Sequence, residues 1–125
     1  IFISSENFPE RLTGIRDRRV ALREISARYN CPVVGMTLGA RGSLLLCEDR
    51  FIETPGCAVP GGCRDTTGAG DAFRVGFLYG LLTGESVETA ARMANAVAAL
   101  KCRDLGARAA LPNVRELVEL VNNSV

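Results

Sequence analysis

Apolar spacing passes from strand-like to persistently helical at Asp65-Thr66-Thr67-Gly68-Ala69-Gly70-Asp71. Upstream, short apolar runs are punctuated by Gly and Pro, as in strands joined by turns. Downstream, from Ala72-Phe73-Arg74-Val75-Gly76-Phe77-Leu78, the spacing is helical. The stretch therefore reads as a loop that feeds a helix N-terminus. Unpaired backbone N–H groups at such an end, with the positive end of the helix dipole, attract anions. Gly68 and Gly70 let the backbone turn tightly and come close to a ligand. Asp71 sets a negative charge beside that anion hole. A carboxylate there repels a phosphate unless it has a task, and accepting a proton from an attacking hydroxyl is such a task. The simpler alternative is an Asp that N-caps a helix after a flexible turn.

Around this loop the chain reads as α/β. Ile1–Ser4 is a short strand, and a short helix follows up to Gly14, with Asn7 as its N-cap and Pro9 in the first turn. Asp17–Tyr29 is an amphipathic helix whose arginines read as surface charge. Pro32–Leu38 is a continuous apolar run, as expected of a strand covered on both faces. Gly39–Gly42 makes a turn, and Ser43–Cys47 and Phe51–Thr54 form a hairpin. Cys57–Pro60 is read as an edge strand, where Pro is tolerated. Helices then dominate. The first starts at Ala69 or Asp71 and runs to Leu82. The second is capped by Ser86 and is apolar nearly all round from Ala90 to Leu100, as a buried helix is. Asn95 is the polar exception, either a satisfied core residue or one that faces a ligand. Asn113-Val114-Arg115-Glu116 opens the last helix with a capping-box pattern.

Composition narrows the chemistry. At 125 residues, 47% of them hydrophobic, the chain is one domain with a core. Its net charge of +1, with no basic block, gives no sign of nucleic acid or an anionic membrane as partner. No apolar run approaches the roughly 20 residues of a membrane span. Five cysteines form no C-x-x-C pair and read as free thiols in a reducing cytoplasm. The sequence contains no His, which removes every Ser-His-Asp, Cys-His or His-metal mechanism. Chemistry is left to Asp, Glu, Lys, Arg, Cys and the backbone. Ile1-Phe2-Ile3 reads as a strand already under way, so the chain is expected to be a piece of a longer protein.

Two familiar phosphate motifs fail. Phe73 stands where a dinucleotide-binding fingerprint needs its third glycine, and Gly39-Ala40-Arg41-Gly42-Ser43 lacks the Gly-Lys-Ser/Thr ending of a P-loop. Asp65 to Phe73 does match, without a gap, the second signature of the ribokinase-like, or PfkB, carbohydrate kinases. Thr37-Leu38-Gly39-Ala40-Arg41-Gly42-Ser43 looks like that family's T-x-G-x-x-G nucleotide segment, and Gly106-Ala107 resembles the closing part of its nucleotide and cation site. The resemblance covers nearly the whole chain but only the C-terminal half of the family. It implies the C-terminal portion of a three-layer α/β/α sandwich over residues 1–125, without the N-terminal sugar-binding and lid portion.

The resemblance also implies roles. Asp71 is similar to the catalytic base, and Gly68, Ala69 and Gly70 to the anion hole. Thr37, Gly39 and Gly42 look like nucleotide contacts, Asn95 is similar to an Asn near the adenosine, and Gly106 belongs with them. Asp65 and Thr67 resemble part of a potassium site whose remainder falls in the region of Lys101 and Ala110, where a Lys and a missing hydroxyl depart from the pattern. Many members carry N-x-x-E after the first strand to organise magnesium. Here Ser5 and Phe8 stand at those positions, and Glu6 is out of register. The implied cofactors are ATP and Mg2+, with K+ as a third. The implied substrate is a sugar or a nucleoside, and a homodimer is an allowed assembly.

Overall fold

The computed structural model describes residues 1–124. In chain order they form β1 (Phe2–Ser5), α1 (Phe8–Thr13), α2 (Arg18–Tyr29), β2 (Val33–Thr37), a 3-10 turn (Gly39–Arg41), β3 (Ser43–Cys47), β4 (Arg50–Thr54), α3 (Ala69–Leu82), α4 (Val87–Lys101) and α5 (Val114–Asn123). The chain divides into two compact units, Ile1–Glu53 and a second that begins at Thr54.

The first unit is a sheet of order β1-β2-β3-β4 with helices. β1 and β2 are parallel, with Ser4 opposite Met36, so the chain must cross over between them, and α1 and α2 make that crossover. β2 and β3 are antiparallel, with Val34 opposite Leu46. β3 and β4 are joined by Glu48 and Asp49, both with positive φ (49° and 61°), as the turns that match strand twist require. Alternate residues of a strand share a face. Val34 and Met36 of β2 and Leu44 and Leu46 of β3 accordingly pack with Leu22 and Ile25 of α2. Gly35 points the other way. A Cβ there would collide with the Leu45 side chain and lie 3.0 Å from the Leu44 carbonyl oxygen.

Local signals set the helix ends. Asp17 caps α2 by accepting from the Val20 N–H (2.9 Å), and Asn30 closes it in the left-handed region. Asn7 precedes α1 as expected but makes no side-chain cap; its backbone is already helical, so its side chain is not aimed at the first-turn amides. The α2 arginines do more than face solvent. The guanidinium groups of Arg19 and Arg23 lie 4.7 and 4.9 Å from the centre of the Phe51 ring.

The second unit is helical. Cys57–Pro60, expected as an edge strand, is irregular. Pro60 has no N–H to give to a ladder, and Gly61 and Gly62 turn the chain with positive φ, with Gly62 N–H bonded to Val59 O at 2.9 Å. α3 and α4 pack through small residues. A Cβ on Gly76 would lie 2.9 Å from Ala94 Cα, and one on Gly80 2.8 Å from Ala90 Cα. The alanines of α4 permit that approach, which accounts for a helix buried over most of its surface. Ser86 caps α4 through the Thr89 N–H (3.1 Å). Asn113 and Glu116 form a reciprocal capping box on α5, each accepting from the other's N–H at 3.0 Å.

Gly80→Ala should thus be destabilising although Ala is the better helix former. The clash is with backbone, which cannot swing aside, and overpacking of this kind costs about 1–3 kcal/mol, against a propensity gain of roughly 0.5–1 kcal/mol. Urea unfolding of the two proteins measures the difference; equal or greater stability of the variant contradicts the packing described.

Candidate active site

The loop before α3 is built by glycine. Gly68 is the N-cap residue at φ 76°, in the left-handed region. A Cβ on it would lie 2.9 Å from Ala107 Cβ, so a side chain is excluded by space as well as by φ. Ala72 N–H bonds to Gly68 O at 2.9 Å and closes the first helical turn. Asp71 is therefore not the cap, which disposes of the simpler alternative. It is the third residue of α3, its side chain is 86% exposed, and it accepts from Arg74 Nη1 at 2.8 Å. Sequence reading missed Arg74, although the i, i+3 spacing puts it on Asp71's face of the helix. Of the three amides expected to form an anion hole, that of Ala69 already donates to Thr66 O at 3.0 Å.

Asp65 holds this loop to the segment after α4. Its Oδ1 accepts from the Thr67 N–H (2.9 Å) and Thr67 Oγ1 (2.7 Å), and its Oδ2 from the Gly106 N–H (2.7 Å). The Thr67 amide and hydroxyl, then the Gly106 amide, favour the charged form and lower its pKa from 3.8 to about 2, and the Lys101 charge adds to this. Next to it, Arg64 N–H bonds to Cys102 O at 2.8 Å. Lys101, at the end of α4, is fully buried, and its Nζ donates to the backbone oxygen of Asp65 at 2.7 Å. The structure brings Asp65, Thr67, Gly68 and Gly106 into one cluster of loops and adds Lys101, to which the sequence gave no bonding role.

Asn95 is buried in α4, and its Nδ2 donates to Ala91 O at 3.1 Å. Of the two roles left open for it, the hydrogen-bonded core residue is the one this geometry fits.

Thr37, Gly39 and Gly42 lie in the first unit, on the turn between β2 and β3. Leu38 N–H bonds to Gly42 O (2.8 Å) and Gly42 N–H to Gly39 O (3.1 Å), while Gly39 and Gly42 adopt φ of 60° and 101°. Such a turn bares backbone without side chains in the way. Glu6 accepts from Arg18 Nη2 at 2.7 Å and also from Arg41 Nη2 of this turn. Phe8 packs beside Phe2, ring centres 5.9 Å apart, and Ser5 is exposed. A Mg2+ site of the N-x-x-E kind does not fit these residues: an aromatic stands for the carboxylate, and the one carboxylate nearby is held by two guanidinium groups.

Residues 5–114 match the pfkB family carbohydrate kinases. Over 128 residues the chain is 30% identical to a ribokinase of Haemophilus influenzae, covering 99% of this chain and 41% of the relative. It is 37% identical over 87 residues to a nucleoside kinase of Methanothermobacter thermautotrophicus, covering 70% and 27%. A fructokinase double mutant from Vibrio cholerae O395, solved with fructose, ADP and potassium ion, superimposes with a TM-score of 0.83 at 34% identity, covering 95% of this chain and 39% of that one. The chain belongs to the pfkB family of carbohydrate kinases, and its mixed α/β fold is that of the ribokinase-like kinases. It spans about a quarter to two-fifths of the length of these relatives. No helix among the described residues is long and apolar enough to cross a membrane.

Because the folded pKa of Asp65 is depressed, its contribution to stability is complete above the ordinary value of 3.8 and is lost as pH falls toward about 2. The stability difference between wild type and Asp65→Asn should be flat above pH 3.8 and shrink through that window. Urea titrations at a series of pH values test this, and a pH-independent difference contradicts the bonding scheme.

Proposed function

We propose that residues 1–125 are the C-terminal, nucleotide-binding and catalytic portion of an ATP-dependent kinase that acts on a hydroxyl of a sugar. The observation that carries this reading is an exposed carboxylate, Asp71, in the first turn of a helix entered through a glycine loop. An anion-attracting helix start and a proton acceptor one turn apart suit phosphoryl transfer to an alcohol. Asp71 takes the proton of the acceptor hydroxyl. The acceptor oxygen bonds to the γ-phosphorus in line, the bond to the β,γ-bridging oxygen breaks, and ADP leaves.

The amides of Gly68, Ala69 and Gly70 stabilise charge on the transferred group, with Ala69 trading its bond to Thr66 O for one to a phosphoryl oxygen. Arg74 orients the Asp71 carboxylate through their ion pair. In this reading Thr37, Gly39 and Gly42 of the first unit, and Gly106 of the second, are nucleotide contacts. ATP arrives as its magnesium complex, a substrate rather than a resident metal. The part that reads the acceptor lies in the remainder of a longer protein, so residues 1–125 alone bind nucleotide and phosphorylate nothing. A nucleoside hydroxyl is the second acceptor reading, favoured by the similarity to a nucleoside kinase.

Asp71→Asn in the full-length protein should lower kcat by about 10²–10⁴-fold, roughly 3–5 kcal/mol of barrier, while ATP still raises Tm in a concentration-dependent way. Turnover over a panel of sugars and nucleosides measures the first and thermal unfolding the second. Near-wild-type turnover by the variant sinks the assignment of the base. ATP binding without turnover of any acceptor by the full-length wild type would favour a nucleotide-binding module instead.

A further inference from the structure

The second unit contains a buried cation that the phosphoryl-transfer scheme leaves unused. Lys101 is 0% exposed, and its ammonium donates to Asp65 O at 2.7 Å. Burying an ammonium is unfavourable unless fixed dipoles or charges replace its water. Here the backbone oxygen of Asp65 does so directly, and the negative end of α4, of which Lys101 is the last residue, adds to it.

The resemblance implies a potassium ion at this place, held by Asp65, Thr67 and the segment that includes Ala110. The residues present do not fit one. A monovalent cation needs several oxygen lone pairs at once, and the Asp65 and Ala110 oxygens at hand already accept hydrogen bonds, two of them from cationic side chains. Asp65 O takes the Lys101 ammonium, Asp65 Oδ1 takes two bonds from Thr67, and Asp65 Oδ2 takes the Gly106 amide. Ala110 has no hydroxyl, and its carbonyl accepts from Arg103 Nη2 at 3.3 Å; Arg103 Nε is in turn bonded to Leu100 O at 2.9 Å. Two cationic side chains thus sit on the backbone oxygens that an ion would need.

We infer that Lys101 is a covalently tethered replacement for a monovalent cation: its ammonium fixes the Asp65 backbone before the loop of α3, and nucleotide binding by this protein is indifferent to potassium. The part concerning nucleotide rests on the kinase reading; the part concerning the ion does not. The ammonium is part of the chain and, unlike a bound ion, is not lost to the medium, so the loop is held whatever the ionic composition of the medium.

The test compares full-length protein in potassium chloride with tetramethylammonium chloride at equal ionic strength, reading both Tm and ATP affinity. For wild type neither should change by more than about twofold in the equilibrium constant, a shift too small to represent a bound ion at saturation. Lys101→Ala, which removes the ammonium and opens space, should bind ATP at least about tenfold more weakly in tetramethylammonium and regain affinity in potassium. A potassium-specific rise in Tm or ATP affinity of the wild type overturns the inference. So does a folded Lys101→Ala protein with wild-type affinity in tetramethylammonium, or one whose loss potassium does not repair, since that marks a packing role. The wild-type comparison needs no variant and decides even where Lys101→Ala does not fold. Failure of the wild type to bind ATP speaks against the kinase reading, while the Tm comparison still decides the ion.

Discussion

Asp65 is bonded at both ends, and the geometry of the second unit's loops follows from that. Its carboxylate gathers the Thr67 amide and hydroxyl and the Gly106 amide, and its backbone oxygen receives a buried ammonium. The first two bonds bend the chain back into the Gly68 turn. The third ties that turn to the segment after α4. An ionised carboxylate that accepts several N–H and O–H bonds is held more firmly than a neutral group, because each bond is charge-assisted. Gly68 can then lie against Ala107 only because neither residue carries more than a methyl group. The orientation of α3, and with it the position of Asp71, is inherited from this anchor rather than from α3 alone.

The anchor needs α3 and α4 to stay close, and the small residues supply that. Gly76 and Gly80 let the backbone of α4 approach within distances at which any Cβ would clash. Helix interiors disfavour glycine, so two glycines on one face of a 14-residue helix are explained by packing and not by propensity. Their cost is borne by burial. Ala72, Met93, Ala96 and Val97 form the apolar cluster between the helices, with Leu117 of α5 joining it. Lys101 emerges from the end of the same helix, so its ammonium is delivered to Asp65 by the rigid element that the glycines bring near.

What was legible in the sequence follows a physical division. Periodicity reports burial on one face, so α2, β2, β3, α3 and α4 could be read from spacing. Caps report local hydrogen bonds, so Ser86 and the Asn113–Glu116 box could be read from residue type, whereas Asn7, read the same way, makes no cap bond. The heptapeptide from Asp65 to Asp71 located the loop because a glycine at positive φ, here Gly68, leaves a compositional trace. Three features escaped, each because it depends on a partner distant in sequence. Cys57–Pro60 had the composition of an edge strand, but a strand exists only where a ladder accepts it. Arg41 was read only as part of the Gly39–Gly42 turn, and its partner Glu6, 35 residues away, is visible only in the fold. Lys101 was read only as a departure from the potassium-site pattern, and only the fold reveals that it is buried and bonded to an oxygen 36 residues away.

Two departures from the family pattern, Lys101 and the Ser5–Phe8 stretch, share a direction: side chains of the chain itself occupy oxygens that an ion could use. They differ in how firmly they do so. Glu6 is about one-third exposed and its arginine partners more, so that cluster is open to solvent and screened by salt. Its contribution is to limit how the Arg41 turn moves, at a strength that falls as ionic strength rises. The Lys101 ammonium is out of water, where mobile ions do not reach it, and its interaction with the Asp65 oxygen is little affected by salt. The unit that contains Asp71 is thereby held by the interaction that is insensitive to the medium, and the turn that contains Gly39 and Gly42 by the one that is sensitive. On the proposed kinase reading, a segment that contacts nucleotide has to admit and release its ligand, whereas a base has to keep its position through the reaction, and the two kinds of charge pairing suit those two requirements.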